Sequence, residues 1–216
     1  MQYKNIMFDL DGTLTDPVLG ITNSVAYALE KFGIKVSDRS ELYRFIGPPL
    51  VNAFMEYYGF TKENAERALA YYREYFAPKG IFENAVIEGI PEMLSALKAN
   101  GKRLFVATSK PEPFAIQILE HFALDGYFDG IFGSTMDETR NTKDAVIAYA
   151  LAETGADKDD TVMVGDRHHD IDGAKKNGMR SVGVLFGYGS RAELEGAGAD
   201  DIAETVDELQ NILIGE

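Results

Sequence analysis

Short apolar runs that end in clusters of polar residues, each followed by a stretch of helical spacing, recur along most of this chain. Asn5-Ile6-Met7-Phe8 runs into Asp9-Leu10-Asp11-Gly12-Thr13, and Arg103-Leu104-Phe105-Val106-Ala107 into a loop Thr108-Ser109-Lys110-Pro111. Thr161-Val162-Met163-Val164 runs into Gly165-Asp166-Arg167-His168-His169-Asp170. Strands are expected at 4–9, 103–107, 130–133, 161–165 and 181–185, and helices at 91–100, 112–122, 143–154, 171–177 and 206–213. Val146, Ile147, Ala150 and Leu151 give the 143–154 helix its apolar face, and Gly178 stops the 171–177 helix. Alternation of this kind predicts an α/β fold with a parallel sheet.

Between 16 and 82 the rhythm changes to helices alone. Val18, Ile21, Val25, Ala28, Leu29 and Phe32 recur at helical spacing, with Gly33 as a stop. Phe54, Tyr57 and Tyr58 form a second apolar face, Ala65, Leu69, Tyr72 and Phe76 a third, and Pro78-Lys79-Gly80 breaks the pattern. The expected organisation is therefore a Rossmann-like core, 1–15 with 83–216, interrupted by an inserted helical cap at 16–82.

Composition narrows the function classes. The 216 residues suit one large domain with a modest insertion, at 45% hydrophobic and 26% charged. A formal net charge of −14 opposes binding to a nucleic-acid polymer or an anionic membrane. A phosphate-bearing substrate then needs a cation, local lysines or helix N-termini to reverse the sign inside a cleft. The chain has no cysteine, which excludes disulfides and thiol chemistry. No apolar stretch approaches a bilayer span, and the opening residues lack the pattern of a signal peptide, so a cytoplasmic location is expected.

The polar clusters carry the chemistry. Two carboxylates two residues apart at a strand end, Asp9 and Asp11, lose solvation unless paired or metal-bound. Gly12 lets the backbone turn there and Thr13 adds a hydroxyl. Such a loop suits a nucleophilic carboxylate, a neighbouring acid/base and a hard cation. All three clusters fall at carboxyl ends of strands, where ligands of open parallel sheets bind, so they can converge on one crevice.

With these motifs the chain resembles haloacid dehalogenase-superfamily phosphatases, in the branch of phosphoglycolate phosphatases and 5'-nucleotidase-like proteins. Asp9 to Thr13 matches the first superfamily motif, Thr108 the second, and Gly165-Asp166 through Asp170 the fourth. The third motif is a lysine; Lys143 stands at its usual place, with Lys110 as a rival. Phe45-Ile46-Gly47-Pro48-Pro49-Leu50 and Phe186-Gly187-Tyr188-Gly189-Ser190 resemble that branch in particular.

The resemblance implies a phosphatase acting on small phosphomonoesters, of the phosphoglycolate or nucleoside monophosphate class, through an aspartyl-phosphate. Asp9 is then the nucleophile and Asp11 the general acid/base; the dehalogenases of the superfamily lack an acid at that second position. The implied cofactor is Mg²⁺, held by Asp9, the backbone carbonyl of Asp11 and Asp166, with Asp170 at or just behind the first shell. Thr108, with Ser109 and Lys110, would bind the phosphoryl group, helped by amides of the following helix, and Lys143 would neutralise its charge.

Several residues keep two readings. Thr108 also suits a helix N-cap, and Lys143 a solvated first-turn lysine. His168-His169-Asp170 invites zinc, against which adjacent helical residues point in different directions; a local hydrogen-bonding role suits His169 better. Arg44 and the Gly47-Pro48-Pro49 turn either contact substrate or form an ordinary turn. The cap aromatics either stack a nucleobase or pack the cap, and helical spacing favours packing.

The expected partner is a small phosphate ester, and the expected state a monomer or weak dimer. Rival activities are a phosphosugar mutase, whose early-cap His and basic residues have no match in Thr22-Asn23-Ser24-Val25-Ala26-Tyr27, and a pyrophosphatase. A non-catalytic binding or regulatory protein is the rival of another class; retention of Asp9, Asp11, Lys143, Asp166 and Asp170 together opposes it.

Overall fold

The computed structural model describes residues 3–137 and 139–215. Its elements begin β1 (Asn5–Phe8), β2 (Thr15–Asp16), α1 (Val18–Glu30), α2 (Leu50–Tyr58), α3 (Lys62–Phe76), β3 (Ala85–Val86) and α4 (Ile90–Ala99). They continue β4 (Arg103–Pro111), α5 (Glu112–His121), β5 (Gly130–Ser134), α6 (Lys143–Thr154), β6 (Thr161–Gly165) and α7 (His168–Lys176). Then follow β7 (Arg180–Val184), α8 (Arg191–Ala197), β8 (Asp201–Ala203) and α9 (Val206–Ile214). The chain falls into two compact units, Met1–Asp16 with Val86–Glu216, and Pro17–Ala85.

The first unit is built on a six-stranded sheet in the order β5-β4-β1-β6-β7-β8, and every strand pair in it is parallel. β1 is central. Phe8 lies opposite Val106 of β4 and Val164 of β6, so the ends of β1 and β6 come level with the middle of the longer β4. On one face Met7, Phe105, Ala107 and Met163 meet Val146, Ile147 and Ala150 of α6 and Ala174 of α7. All of β1 and all of β6 are buried. Strands covered on both faces lose the apolar–polar alternation of half-exposed ones, which is why these segments read as unbroken apolar runs.

β4 corrects one expectation. Thr108-Ser109-Lys110-Pro111 is not a loop: extended backbone continues to Pro111, with a register shift against β5 between Ala107 and Pro111. Thr108 is accordingly no N-cap; α5 starts at Glu112 with Pro111 as its cap residue. The helix that follows Thr108, α5, has its N-terminal amides beyond Ser109 and Lys110. α7 starts at His168, three residues before the expected 171, because Asp170 accepts from the Arg167 amide and supplies a start signal inside the polar cluster. The short elements β2, β3, β8 and α8 were not expected. α8 buries one residue, Leu194, and so carries almost no periodic signal.

The second unit holds α1, α2 and α3 together with a 3-10 segment, Arg39–Phe45, started by Asp38 accepting from the Ser40 amide. Phe45, Phe54, Tyr57, Tyr58 and Phe60 pack on one another, with ring centroids 5.1 to 6.3 Å apart. Mutual ring packing is thus one use these aromatics have in the fold. β2 and β3 pair as a separate ribbon where the chain passes between the units.

Candidate active site

Beyond the carboxyl ends of β1 and β6 lie four buried carboxylates, Asp9, Asp11, Asp166 and Asp170, and with them two buried ammonium groups, Lys110 near the end of β4 and Lys143 at the start of α6. Local chain chemistry puts each one there. Asp9 leaves β1 with its amide on Val164 O (2.9 Å), and its Oδ1 accepts from the Leu10 amide (2.7 Å). The chain then doubles back within Leu10–Thr15: Leu14 and Thr15 both donate to Leu10 O, at 2.9 and 3.0 Å. Gly12 permits this turn at φ +82°, and a Cβ there would stand 2.4 Å from Asp166 Oδ2.

Lys143 is the first residue of α6, where the helix dipole disfavours a cation by about 0.3–1 kcal/mol. The compensation is direct. Its Nζ lies 2.8 Å from Asp9 Oδ1 and 2.8 Å from Asp170 Oδ1, and donates to Ala107 O at 3.1 Å. Burial alone would lower the lysine, but the charges of Asp170 and Asp9 overcome it and hold its pKa above the ordinary value. The stem passes α7 at Gly173, where a Cβ would come within 2.9 Å of Lys143 Cγ. Lys110 has a different partner, Asp11 Oδ2 at 2.5 Å. Both rival lysines therefore reach the site, Lys143 on the Asp9 carboxylate and Lys110 on the Asp11 carboxylate.

Burial raises the pKa of Asp11 and the Asp9 charge adds to the shift, against the opposing pull of Lys110 and Lys143. Burial also raises Asp166 well above the usual carboxylate range, with the charges of Asp170 and Asp9 adding to it. Asp166 Oδ2 accepts from the Tyr188 amide at 2.7 Å, whereas its Oδ1 has no hydrogen-bond partner among the described residues. Asp11 Oδ1 and Thr13 Oγ1 are buried and equally unpartnered among the described residues. Leaving such atoms unpaired costs about 1–3 kcal/mol each, and a cluster of them marks a place for a ligand.

A hard divalent cation fits this place. Asp9, Asp166 and Asp170 each offer one oxygen within 4.8 Å of the others, and all three are buried. Four carboxylates against two ammonium groups leave an excess of two negative charges when all are ionised. The donors are oxygens only, the preference of Mg²⁺ and Ca²⁺ and not of zinc. Asp11 lies outside this side-chain set, and its Oδ2 is taken by Lys110.

A model of haloacid dehalogenase-like hydrolases matches residues 6–184, from the first strand through β7. The chain belongs to the haloacid dehalogenase-like hydrolase family. It is 49% identical over 194 residues to a 5'-nucleotidase of Pseudomonas aeruginosa, covering 90% of this chain and 88% of that protein. It is 39% identical over 210 residues to the tyrosine-protein kinase PtkA of Mycobacterium tuberculosis, covering 96% of this chain and 72% of that one. The crystal structure of a predicted phosphatase from Clostridium acetobutylicum superposes with a TM-score of 0.98 at 51% identity, covering 100% of each chain.

The remaining expected residues of this hydrolase sit as follows. Thr108 is buried in β4 and its hydroxyl oxygen accepts from the Lys110 amide at 3.2 Å, while Ser109 lies half-buried beside it. Arg44, Gly47 and Pro49 belong to the helical unit; the Arg44 guanidinium lies over the Tyr57 ring at 4.6 Å, and Gly47 has φ +102°. His169 is partly buried, and desolvation with the neighbouring positive groups lowers it to about 4, so it is neutral near pH 7.

Two groups have a role at the site that the sequence did not assign. The Tyr188 amide holds Asp166, and the Tyr188 hydroxyl bonds Asp16. The Glu193 carboxylate binds Arg167 and His168. The glycine-rich run at 187–189 was a signal for the first, because a Cβ at Gly187 would lie 2.4 Å from Asp166 Cβ. The second had only a helix-start pattern to mark it.

Proposed function

We propose that this hydrolase is a phosphatase of small phosphomonoesters, nucleoside monophosphates foremost, with phosphoglycolate as the next class. One observation carries the reading: a carboxylate held by a buried lysine, Asp9 on Lys143 at 2.8 Å, sits two residues from a second carboxylate with a raised pKa, Asp11. That pairing suits nucleophilic attack followed by protonation of a leaving alcohol. The strong likeness to a 5'-nucleotidase supports the substrate class.

In the proposed reaction an Asp9 oxygen attacks phosphorus, and the bond from phosphorus to the ester oxygen breaks as Asp11 delivers its proton to that oxygen. Water then attacks the aspartyl-phosphate, returns a proton to Asp11 and releases inorganic phosphate, restoring Asp9. Lys143 holds and orients the Asp9 carboxylate, and Thr108 with Lys110 is assigned to the phosphoryl oxygens. Mg²⁺, held by Asp9, Asp166, Asp170 and the Asp11 carbonyl, would neutralise the charge of the incoming phosphate. We assign substrate choice to Arg44, Gly47 and Pro49, and the helical unit to the role of a cap.

The test is phosphate release with Mg²⁺ or EDTA across nucleoside monophosphates, phosphoglycolate, sugar phosphates, pyrophosphate and an aryl phosphate. Mg²⁺-dependent turnover of nucleoside monophosphates above the other esters supports the reading; no release from any ester sinks it. The PtkA likeness adds one further arm, a nucleoside triphosphate with a tyrosine peptide. Phosphopeptide formation without ester hydrolysis would replace water by a tyrosine hydroxyl as the acceptor.

A further inference from the structure

Ser190-Arg191-Ala192-Glu193 has the pattern of a capping box, in which a glutamate folds back on its own helix start. Half of that box is present: Ser190 Oγ accepts from the Glu193 amide at 3.2 Å. The carboxylate instead crosses from α8 to the first turn of α7. There a single oxygen, Oε1, accepts from Arg167 Nε at 2.9 Å, the His168 amide at 3.0 Å and His168 Nδ1 at 2.8 Å. A carboxylate only accepts when ionised, so Nδ1 of His168 carries the proton in this bond.

Arg167 and His168 are the first two residues of the turn that separates Asp166 from Asp170. Asp170 Oδ2 in turn accepts from the Arg167 amide at 3.1 Å. We infer that Glu193 is a positioning residue for the divalent cation: it sets the turn between Asp166 and Asp170 by gathering three donors of Arg167 and His168 on one oxygen, and touches neither cation nor substrate. This rests on the phosphatase reading only in needing a cation at these aspartates. Outer partners that orient metal ligands typically contribute on the order of 10- to 100-fold in metal affinity.

The experiment measures Mg²⁺ affinity of the substrate-free full-length protein by calorimetry for Glu193→Ala, Glu193→Asp and Glu193→Gln, with steady-state kinetics at limiting and saturating Mg²⁺. Glu193→Ala is expected to weaken Mg²⁺ on the order of 10- to 100-fold, with kcat recovered at saturating Mg²⁺. Glu193→Asp keeps the charge but falls one methylene short, and should lose affinity likewise. Glu193→Gln keeps an acceptor oxygen at the right reach and should restore binding to near wild type. Wild-type affinity in Glu193→Ala overturns the inference, as does wild-type affinity in Glu193→Asp with a loss in Glu193→Gln, the signature of a charge effect. Should Glu193→Ala fail to fold, the Asp and Gln pair decides alone. Because binding is read without substrate, inactivity on every ester sinks the phosphatase reading while leaving this result standing. A wild type that binds no Mg²⁺ overturns the inference outright.

Discussion

Lys143→Met removes one positive charge from the centre of the site while keeping a side chain of similar length. The lysine faces two carboxylate oxygens, each at 2.8 Å, and is 5% exposed. At an effective dielectric constant of about 20, each contact is a gross attraction of about 6 kcal/mol. Most of that is offset by the desolvation of three buried charges, and breaking a buried ion pair costs a net of about 3–5 kcal/mol.

For a chain of this size such a loss lowers the melting temperature by roughly 10 °C. The sign of the pH dependence is fixed by the shifts. Lys143 is raised, so its contribution is fully present below the ordinary lysine pKa of about 10.4 and is lost only as pH climbs through the raised value. Lys143 itself therefore stays charged between pH 5.5 and 8, whereas Asp170, which burial raises to about 6 against the pull of Lys143, already takes up its proton towards pH 5.5 in the wild type. In the variant, Asp170 loses the neighbour that opposes its raised pKa, and its ionised form becomes a burden above that pKa which protonation relieves. The stability gap between wild type and Lys143→Met, measured by denaturant titration without divalent cation, should be widest at pH 8 and narrow by pH 5.5. Added Mg²⁺ should raise the variant's melting temperature more than that of wild type, because it replaces the missing charge. A gap below about 1 kcal/mol at pH 8, the range of an exposed pair, or a gap that widens on acidification, refutes the electrostatic account.

Asp9→Asn leaves Lys143 paired with Asp170 and should fold but lose ester turnover, since an amide cannot become the attacking carboxylate; turnover near the wild-type rate rules out the covalent route. Lys110→Met removes the ammonium that opposes the raised pKa of Asp11. The alkaline fall in kcat/KM, where Asp11 gives up its proton, should then move to higher pH, and a fixed or downward-moving limb in the pH–rate profile counts against Asp11 as the acid. Gly12→Ala forces a side chain into φ +82° and sets a Cβ 2.4 Å from Asp166 Oδ2. It should cost more than the roughly 1 kcal/mol of positive-φ strain and weaken Mg²⁺ binding seen by calorimetry; unchanged affinity means that Asp166 does not hold the cation.

Much of the fold is legible in the chain because the strands of the sheet are buried on both faces, which writes them as unbroken apolar runs between helices of 3.6 periodicity. The carboxyl ends of β1 and β6 were legible for the same reason, since Asp9 and Asp166 stand at the point where each run stops. Short elements left no such trace: β2 and β3 have two residues each, and α8 buries only Leu194. Extended backbone through Thr108 to Pro111 was unreadable because its polar residues look like a loop, and its pairing with β5 is irregular and resumes at Pro111. The sequence supplied two candidate lysines but no means of dividing their tasks. Lys110 and Lys143 go to different aspartates because β4 and α6 deliver them from different directions, a matter of packing between segments far apart in the chain. Glu193 shows the same limit. Locally it is half a capping box, and only the packing of α8 beside α7 turns its carboxylate to the loop between Asp166 and Asp170.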